Sequence, residues 1–305
     1  MLPRMARTLA DALRAARARL AGSASPDAEA EELLGRLLGL GRSQLTLRRD
    51  ESLTPEQDAR LEAWVARRAS GEPVQYITGR AAFRGLDLAV SPAVLIPRPE
   101  TEGLVEAVLG VLREELARWP KPRVLDLGTG SGAIALAIAS ECSPATVTAT
   151  DASDAALAVA RANATACSLA GRVQFLLGDW FDPLPDDERF EVIVSNPPYI
   201  ATGERDALSE VVRAFEPAEA LFSGATGLEA LREIVDDAPR HLVTGGLLAL
   251  ELAEMRAREV ADWLPGGHDW EEVRLRDDLS GRPRVLLAHR QRGPAIAPAQ
   301  WNEER

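Results

Sequence analysis

The feature that most constrains the fold is a strand that runs directly into a glycine-rich turn and then into a helix. The strand is predicted over Arg123–Leu127, the turn reads Gly128-Thr129-Gly130-Ser131-Gly132, and the helix is predicted over Ala133–Ala139. Glycines let the backbone bend sharply and let a ligand approach more closely than any Cβ would permit. In a doubly wound sheet such a turn lies at the carboxyl end of the first strand, where ligands bind. The segment therefore predicts an α/β fold with a binding site at this turn.

The spacing of the glycines indicates which ligand the turn suits. A dinucleotide-binding turn reads Gly-x-Gly-x-x-Gly, and its last glycine permits close packing of helix and strand beside a pyrophosphate. Here the spacing is Gly-x-Gly-x-Gly, and Ala133 occupies that last position. The pattern favours a ligand without a pyrophosphate and makes an NAD dehydrogenase a weak alternative.

Strands and helices alternate through this part of the chain, as in a mostly parallel sheet covered by helices on both faces. Further strands are predicted at Thr146–Thr150, Val173–Leu177, Glu191–Ser195, Gly246–Glu251, Glu272–Arg276 and Arg284–Ala288. Further helices are predicted at Asp154–Ala166 and around Gly227–Leu242. A short turn-forming segment separates the last two strands, which are therefore predicted to form an antiparallel pair.

The N-terminal part of the chain has helical periodicity instead and predicts a small all-α domain. Thr54-Pro55-Glu56-Gln57 has the residues of a capping box, with proline at the first helical position. After it, short strand-like pieces predict a hairpin at residues 79–88, followed by a helix that begins near Glu102. The predicted division is a helical domain at 1–72, a linker at 73–101, an α/β domain at 102–290 and a disordered tail at 291–305.

Composition and charge argue against several classes of protein. Hydrophobic residues make up 46% of the chain and charged residues 27%, which is typical of a globular protein with a substantial core. Neither a membrane-spanning run nor a signal peptide is expected, so the cytoplasm is the expected compartment. The two cysteines, Cys142 and Cys167, have no disulfide or metal-binding spacing, and no metal site is expected. A formal net charge of −12 disfavours nucleic acid, because binding to phosphates requires a basic surface.

Two further strand ends carry side chains that suit a nucleoside. Asp151 ends the second strand of the α/β domain, about twenty residues after Gly130, where an acid can accept both hydroxyls of an adenosine ribose. Asp179 and Trp180 follow the third strand, where an acid and an aromatic ring can hydrogen-bond and stack an adenine. The structural alternatives are a helix N-cap for Asp151, a position that Asp154 fits better, and a core role for Trp180.

Asn196-Pro197-Pro198-Tyr199 follows the next buried strand and carries the chemistry. The purely structural interpretation is a stiff turn, which Asn-Pro often forms. The functional interpretation is methylation of a planar nitrogen, because the Asn196 side-chain oxygen and the Pro197 carbonyl can accept both hydrogens of an NH₂ group. Such contacts align the nitrogen and stabilise the positive charge that develops on it, while the two prolines fix the geometry and Tyr199 packs on the flat target group. Together with the glycine turn, the loop predicts an S-adenosylmethionine-dependent methyltransferase.

These motifs resemble a family of class I, Rossmann-like methyltransferases that modify glutamine. Two upstream stretches narrow the resemblance: Gly71-Glu72-Pro73-Val74-Gln75-Tyr76, and Val94 to Glu102, which reads Val-Leu-Ile-Pro-Arg-Pro-Glu-Thr-Glu. They are similar to the peptide chain release factor N5-glutamine methyltransferases, often called the HemK or PrmC family. The likeness covers roughly residues 70–290. One departure is Leu252 to Arg256, where the family has a Glu-His-Gly-like stretch; we expect this change to be peripheral.

The resemblance implies a substrate, a cofactor and contact residues. The substrate would be the glutamine of the Gly-Gly-Gln motif of release factors, docked by the helical domain. Separately from the resemblance, the protein is expected to be a monomer. S-adenosylmethionine would contact residues 128–132, Asp151, Trp180 and Asn196, and residues 196–199 would hold the glutamine. The alternatives are a nucleic-acid adenine N6-methyltransferase, which would also need to flip its base, and a non-catalytic cofactor-binding protein.

Overall fold

The computed structural model describes residues 7–264 and 269–291. Its helices are α1 (Leu9–Arg19), α2 (Pro26–Leu38), α3 (Arg42–Leu47), α4 (Pro55–Ala69), α5 (Val74–Thr78), α6 (Pro99–Glu115), α7 (Ala133–Glu141), α8 (Asp154–Ala166), α9 (Glu210–Phe215), α10 (Glu229–His241) and α11 (Ala257–Trp263). Its strands are β1 (Arg80–Phe83), β2 (Leu86–Ala89), β3 (Arg123–Leu127), β4 (Thr146–Asp151), β5 (Val173–Leu177), β6 (Phe190–Ser195), β7 (Leu242–Glu251), β8 (Trp270–Asp277) and β9 (Pro283–Arg290). The predicted disordered tail, apart from residue 291, lies outside the described residues.

The chain forms two compact units. One contains residues from 1–81, 89–92 and 206–216, and the other contains residues from 82–88, 93–205 and 217–305. The helices of the first unit share one hydrophobic core, to which α1, α2 and α4 contribute Leu9, Leu33, Leu34, Leu61 and Trp64. The predicted capping box is present at the start of α4: Thr54 Oγ1 accepts from the Gln57 N–H, and Gln57 Oε1 accepts from the Thr54 N–H. The segment 206–216, which includes α9, belongs to this unit although it lies between two strands of the other in sequence.

The second unit is built on a seven-stranded sheet of order β5-β4-β3-β6-β7-β9-β8. The five neighbouring strands β5, β4, β3, β6 and β7 are parallel to one another, whereas β9 is antiparallel to both β7 and β8. Successive residues of β3 point to opposite faces, so Val124 packs with α6 and α7 while Leu125 packs with α10 and α11. The predicted mostly parallel sheet with helices on both faces is therefore confirmed, as is the antiparallel pair at its end.

The predicted bounds of several helices and strands were wrong, and some short helices were not predicted. The structure has a helix at Val74–Thr78, where strand-like pieces were predicted, because five residues are too short to show helical periodicity. Helix α6 begins at Pro99 and not near Glu102. The helix predicted around Gly227–Leu242 is present as α10, Glu229–His241. Strand β7 begins at Leu242, whereas the predicted strand began at Gly246. The register between β6 and β7 shifts between Leu242 and Leu247, the segment that contains Gly245 and Gly246. Helices α3, α9 and α11 were not predicted.

The predicted hairpin is present as β1 and β2. Its two turn residues, Arg84 and Gly85, have φ values of 45° and 78°, as in a two-residue turn that follows the twist of the strands. No helix in the described part of the chain is long and apolar enough to cross a membrane.

Candidate active site

The predicted site segments follow strand ends at one edge of the sheet. Leu127, the last residue of β3, pairs with Thr150 of β4 and with Ser195, the last residue of β6. Ser195 Oγ also donates to the Leu127 carbonyl at 2.7 Å, which ties the two strand ends together. The glycine turn and the Asn-Pro-Pro-Tyr loop therefore leave the sheet side by side.

The glycine turn has a backbone that other residues would adopt only with strain. The φ values of Gly128, Gly130 and Gly132 are 69°, 56° and 81°, all in the left-handed region that favours glycine. A Cβ on Gly128 would lie 3.3 Å from the indole of Trp180. Gly128 is nevertheless exposed, so its backbone is accessible from solvent.

Two buried polar side chains, Asp126 and Asn163, form hydrogen bonds with residues of the turn. Asp126 is fully buried, and its Oδ2 accepts from the Thr129 hydroxyl at 2.6 Å and from the Ala135 N–H at 3.2 Å. Burial raises the pKa of Asp126 to about 7. The two hydrogen bonds act in the opposite direction and lower the pKa, but the effect of burial is larger. Asn163 of α8 donates from Nδ2 to the Ser131 carbonyl at 2.9 Å. Neither residue was among the predicted site residues, although an aspartate inside an apolar strand indicates a buried acceptor that needs hydrogen-bond partners.

Asp151 lies half-buried at the end of β4 and contacts the turn directly. Its Oδ2 accepts from the Gly130 N–H at 2.8 Å, and its Oδ1 accepts from the Ser153 N–H at 2.9 Å. A carboxylate has about four acceptor positions, so each oxygen retains capacity for a further donor such as a hydroxyl. The N-cap of α8 is Ser153, whose hydroxyl accepts from the Ala156 N–H, and not Asp154.

Trp180 lies beside the glycine turn, with its indole over Gly128. Its φ of 36° is unusual for a residue with a side chain. The Thr150 hydroxyl donates to the Trp180 carbonyl at 2.9 Å, which attaches this strained residue to the end of β4. The indole is half-buried, whereas Asp179 is exposed. An aromatic face next to a bare glycine backbone can stack a flat ring.

Two residues of the Asn-Pro-Pro-Tyr loop, Pro197 and Tyr199, fix its position by packing into the protein interior. Pro197 is buried, and Tyr199 packs against the core between the sheet and α10 and α11. Burial, with a further contribution from the charge of Glu251, raises the pKa of Tyr199 to about 12. Tyr199 is thus a neutral phenol at physiological pH and offers a flat packing surface, not a base.

Asn196 is held by Thr101, which was not among the predicted site residues. Its Nδ2 donates to the hydroxyl of Thr101, in the first turn of α6, at 3.1 Å. The Thr101 hydroxyl in turn hydrogen-bonds the carboxyl of Glu251, at the end of β7. Both partners are almost fully buried, with 4% and 1% of their surfaces exposed.

Gly227 packs against the chain that continues from the loop. A Cβ at this position would lie 2.7 Å from the Tyr199 carbonyl oxygen and 2.8 Å from the Ala201 nitrogen, and its φ is 78°. Both neighbours are backbone atoms, so the clash cannot be relieved by turning a side chain. The position therefore requires glycine.

Gly227→Ala should displace residues 199–201 and lower kcat for methyl transfer by at least about 10-fold, since misplacement of a catalytic group by 1 Å can cost 100-fold. Gly203→Ala is the matched control, because its Cβ would meet nothing within 4 Å and its φ is not positive. Steady-state kinetics on both variants checks the expectation. Equal kcat in the two would show that the loop does not depend on this packing.

Comparison with known proteins decides the family. Two family models match: the PrmC N-terminal domain at residues 11–79 and the Methyltransferase small domain at residues 106–224. A release factor glutamine methyltransferase of Cereibacter sphaeroides is 44% identical over 92% of this chain and 97% of its own length. The chain belongs to the release factor glutamine methyltransferases. Relatives with the same name from Koribacter versatilis and Moorella thermoacetica are 40% and 43% identical, over 88% and 93% of the chain and 93% and 99% of their own lengths.

Solved structures support the fold of this methyltransferase. The catalytic domain of hMettl16, crystallised with an RNA hairpin, superposes with a TM-score of 0.54 at 14% identity, over 80% of this chain and 84% of the other. At that identity the likeness shows only a shared architecture. The predicted family, the α/β methyltransferase fold and the assignment as an enzyme are thus confirmed, whereas the individual site residues remain predictions.

Proposed function

We propose that this enzyme transfers a methyl group from S-adenosylmethionine to the side-chain amide nitrogen, N5, of the glutamine in the Gly-Gly-Gln motif of peptide chain release factors. Membership of the release factor glutamine methyltransferases carries the proposal. The geometry is consistent with it, because the glycine turn and the Asn-Pro-Pro-Tyr loop leave adjacent strands at the same edge of the sheet. A cofactor on the turn and an amide on the loop would therefore be neighbours.

The residues at the turn fit S-adenosylmethionine. Gly128 is exposed and the indole of Trp180 lies beside it, so an aromatic face on which a flat ring can stack adjoins backbone that carries no side chain. Asp151 retains acceptor capacity for ribose hydroxyls after its two backbone hydrogen bonds. We assign residues 128–132, Asp151, Trp180 and Asn196 to cofactor binding. The cofactor supplies a sulfonium-bound methyl group as the electrophile.

The Asn-Pro-Pro-Tyr loop would prepare the glutamine nitrogen as a nucleophile. An amide nitrogen is a poor nucleophile because its lone pair is delocalised into the carbonyl group. Asn196 Oδ1 and the Pro197 carbonyl would accept the two N–H hydrogens, which fixes the nitrogen in line with the methyl group. The same two oxygens stabilise the positive charge that grows on nitrogen during transfer. Tyr199 would pack on the flat face of the amide.

A transfer assay with methyl-labelled S-adenosylmethionine tests the substrate. We expect label on a purified release factor and none on its variant with alanine in place of the Gly-Gly-Gln glutamine. Duplex DNA and RNA serve as the competing substrates, and no label is expected on them because the chain carries a net charge of −12. Label on nucleic acid, or equal label on the two release factor proteins, would overturn the proposal.

A further inference from the structure

The amide group of Asn196 can present either its oxygen or its NH₂ to the substrate, and only one orientation works. In the proposed mechanism Asn196 Oδ1 accepts a hydrogen from the glutamine NH₂. The flipped amide would place two donors against each other and leave the substrate hydrogen without an acceptor. Some part of the structure must therefore select the orientation of this side chain.

The Thr101 hydroxyl is the group that contacts the other end of the Asn196 amide. Asn196 Nδ2 lies 3.1 Å from Thr101 Oγ1, although the two residues are 95 positions apart in sequence. A hydroxyl has one hydrogen to donate and two lone pairs that accept. Whether Thr101 accepts from Asn196 or donates to it depends on where its single hydrogen goes.

Glu251 takes that hydrogen. The Thr101 hydroxyl donates to the Glu251 carboxyl, which is buried with 1% of its surface exposed. The second carboxyl oxygen, Oε2, has no hydrogen-bond partner among the residues that the structure describes. An ionised carboxylate only accepts, so it commits the Thr101 hydrogen to itself and leaves Thr101 able only to accept from Asn196.

We infer that Thr101 and Glu251 are positioning residues that hold the Asn196 amide with its NH₂ inward and its oxygen toward the substrate nitrogen. The inference rests on the proposed function, because it assigns a purpose to one orientation of Asn196. Neither residue touches the reacting atoms. Thr101 fixes the orientation by accepting from Nδ2, and Glu251 fixes the hydrogen of Thr101.

The arrangement makes the orientation sensitive to pH. Burial raises the pKa of Glu251 to about 7, while the Thr101 hydrogen bond and the charges of Arg284 and Arg98 lower it and Glu100 raises it. The neutral phenol of Tyr199 also faces this carboxyl. A protonated Glu251 can donate to Thr101, which frees the Thr101 hydrogen to donate to the oxygen of a flipped Asn196. The active orientation is therefore favoured above the pKa and weakened as pH falls through it.

Three variants test the inference by kinetics. Thr101→Val keeps the shape but removes the hydroxyl, and we expect kcat to fall about 10- to 100-fold with little change in KM for either substrate. Thr101→Ser keeps the hydroxyl and should recover most of the loss. Glu251→Gln should reduce kcat and abolish the decline in kcat below about pH 7. Wild-type kcat in Thr101→Val, equal loss in the valine and serine variants, or an unchanged pH profile in Glu251→Gln would overturn the inference.

A spectroscopic measurement separates this inference from the proposed function. The chain has three asparagines, Asn163, Asn196 and Asn302, so ¹⁵N-asparagine labelling of the full chain gives three side-chain amide pairs, and Asn196→Ala identifies one of them. In the wild type one Asn196 amide hydrogen should show the downfield shift of a hydrogen bond. That shift should disappear in Thr101→Val and persist in Thr101→Ser, while the Asn163 pair stays unchanged as an internal control for folding.

The two results distinguish the two failures. The shift present without methyl transfer to a release factor would refute the proposed function and leave the positioning of Asn196 standing. Methyl transfer with no shift in the wild type, or with the shift retained in Thr101→Val, would refute the positioning and leave the proposed function standing.

Discussion

Asn196→Ala should lower kcat for methylation of a release factor by roughly 10²- to 10³-fold, the loss typical when one preorganised hydrogen-bond partner of a developing charge is removed. The variant lacks the oxygen that would accept a hydrogen of the glutamine amide, so the nitrogen loses both alignment and charge stabilisation. Binding of S-adenosylmethionine should weaken much less, because the glycine turn and Asp151 supply most of the predicted contacts. Single-turnover transfer rates and calorimetric Kd values measure the two effects separately.

Asn163→Ala is a useful comparison for Asn196→Ala. Asn163 is buried on α8 and supports the glycine turn through Ser131, so if that turn holds the cofactor, as proposed, its loss should affect cofactor binding more than the rate of the bound complex. The opposite pattern in Asn196→Ala is the diagnostic result. Turnover of Asn196→Ala equal to that of the wild type would refute the role assigned to its side-chain oxygen.

Asp151→Ala should weaken binding of S-adenosylmethionine by about 10- to 100-fold, corresponding to the roughly 1.5–3 kcal/mol of a hydrogen bond to a charged group. Two effects contribute: the ribose hydroxyls lose their acceptor, and the Gly130 and Ser153 N–H groups lose theirs. Isothermal titration with S-adenosylhomocysteine gives the affinity without turnover. Asp154→Ala is the matched control, because Asp154 is exposed three residues further along the same segment.

A ribose-modified ligand separates these two effects of Asp151→Ala. The wild type should bind S-adenosylhomocysteine more tightly than its 2′-deoxy analogue, because one hydroxyl donor to Asp151 is missing. Asp151→Ala should bind the two ligands with nearly the same affinity. If the variant still discriminates between them as the wild type does, the carboxylate serves only to support the turn.

Local patterns were sufficient to predict most of the sheet and its topology class. The bounds of strands Arg123–Leu127 and Val173–Leu177 were predicted to the residue, because each is a short run rich in apolar residues that ends at a turn. The capping box at Thr54 was also readable, since it depends on residues three positions apart. Short helices such as α5 and α9 were missed because five or six residues contain too little of a helical period to be recognised.

The sequence by itself determined the glycine turn, the Asn-Pro-Pro-Tyr loop and the acid at the end of the second strand of the α/β domain. Each of these depends on consecutive residues whose conformational preferences are local, and on the rule that parallel strands end at one edge of the sheet. The likeness of these segments to a known family was visible from the same residues.

Only the tertiary structure decided what surrounds those segments. Asn163 supports the glycine turn from α8, and Thr101 and Glu251 reach Asn196 from α6 and β7. These contacts join residues that are far apart in the chain, and sequence spacing does not specify which buried donors and acceptors meet. The glycine turn on which the fold prediction depended is therefore set by its own residues, whereas the support beneath it and the orientation of the neighbouring Asn196 are set by packing.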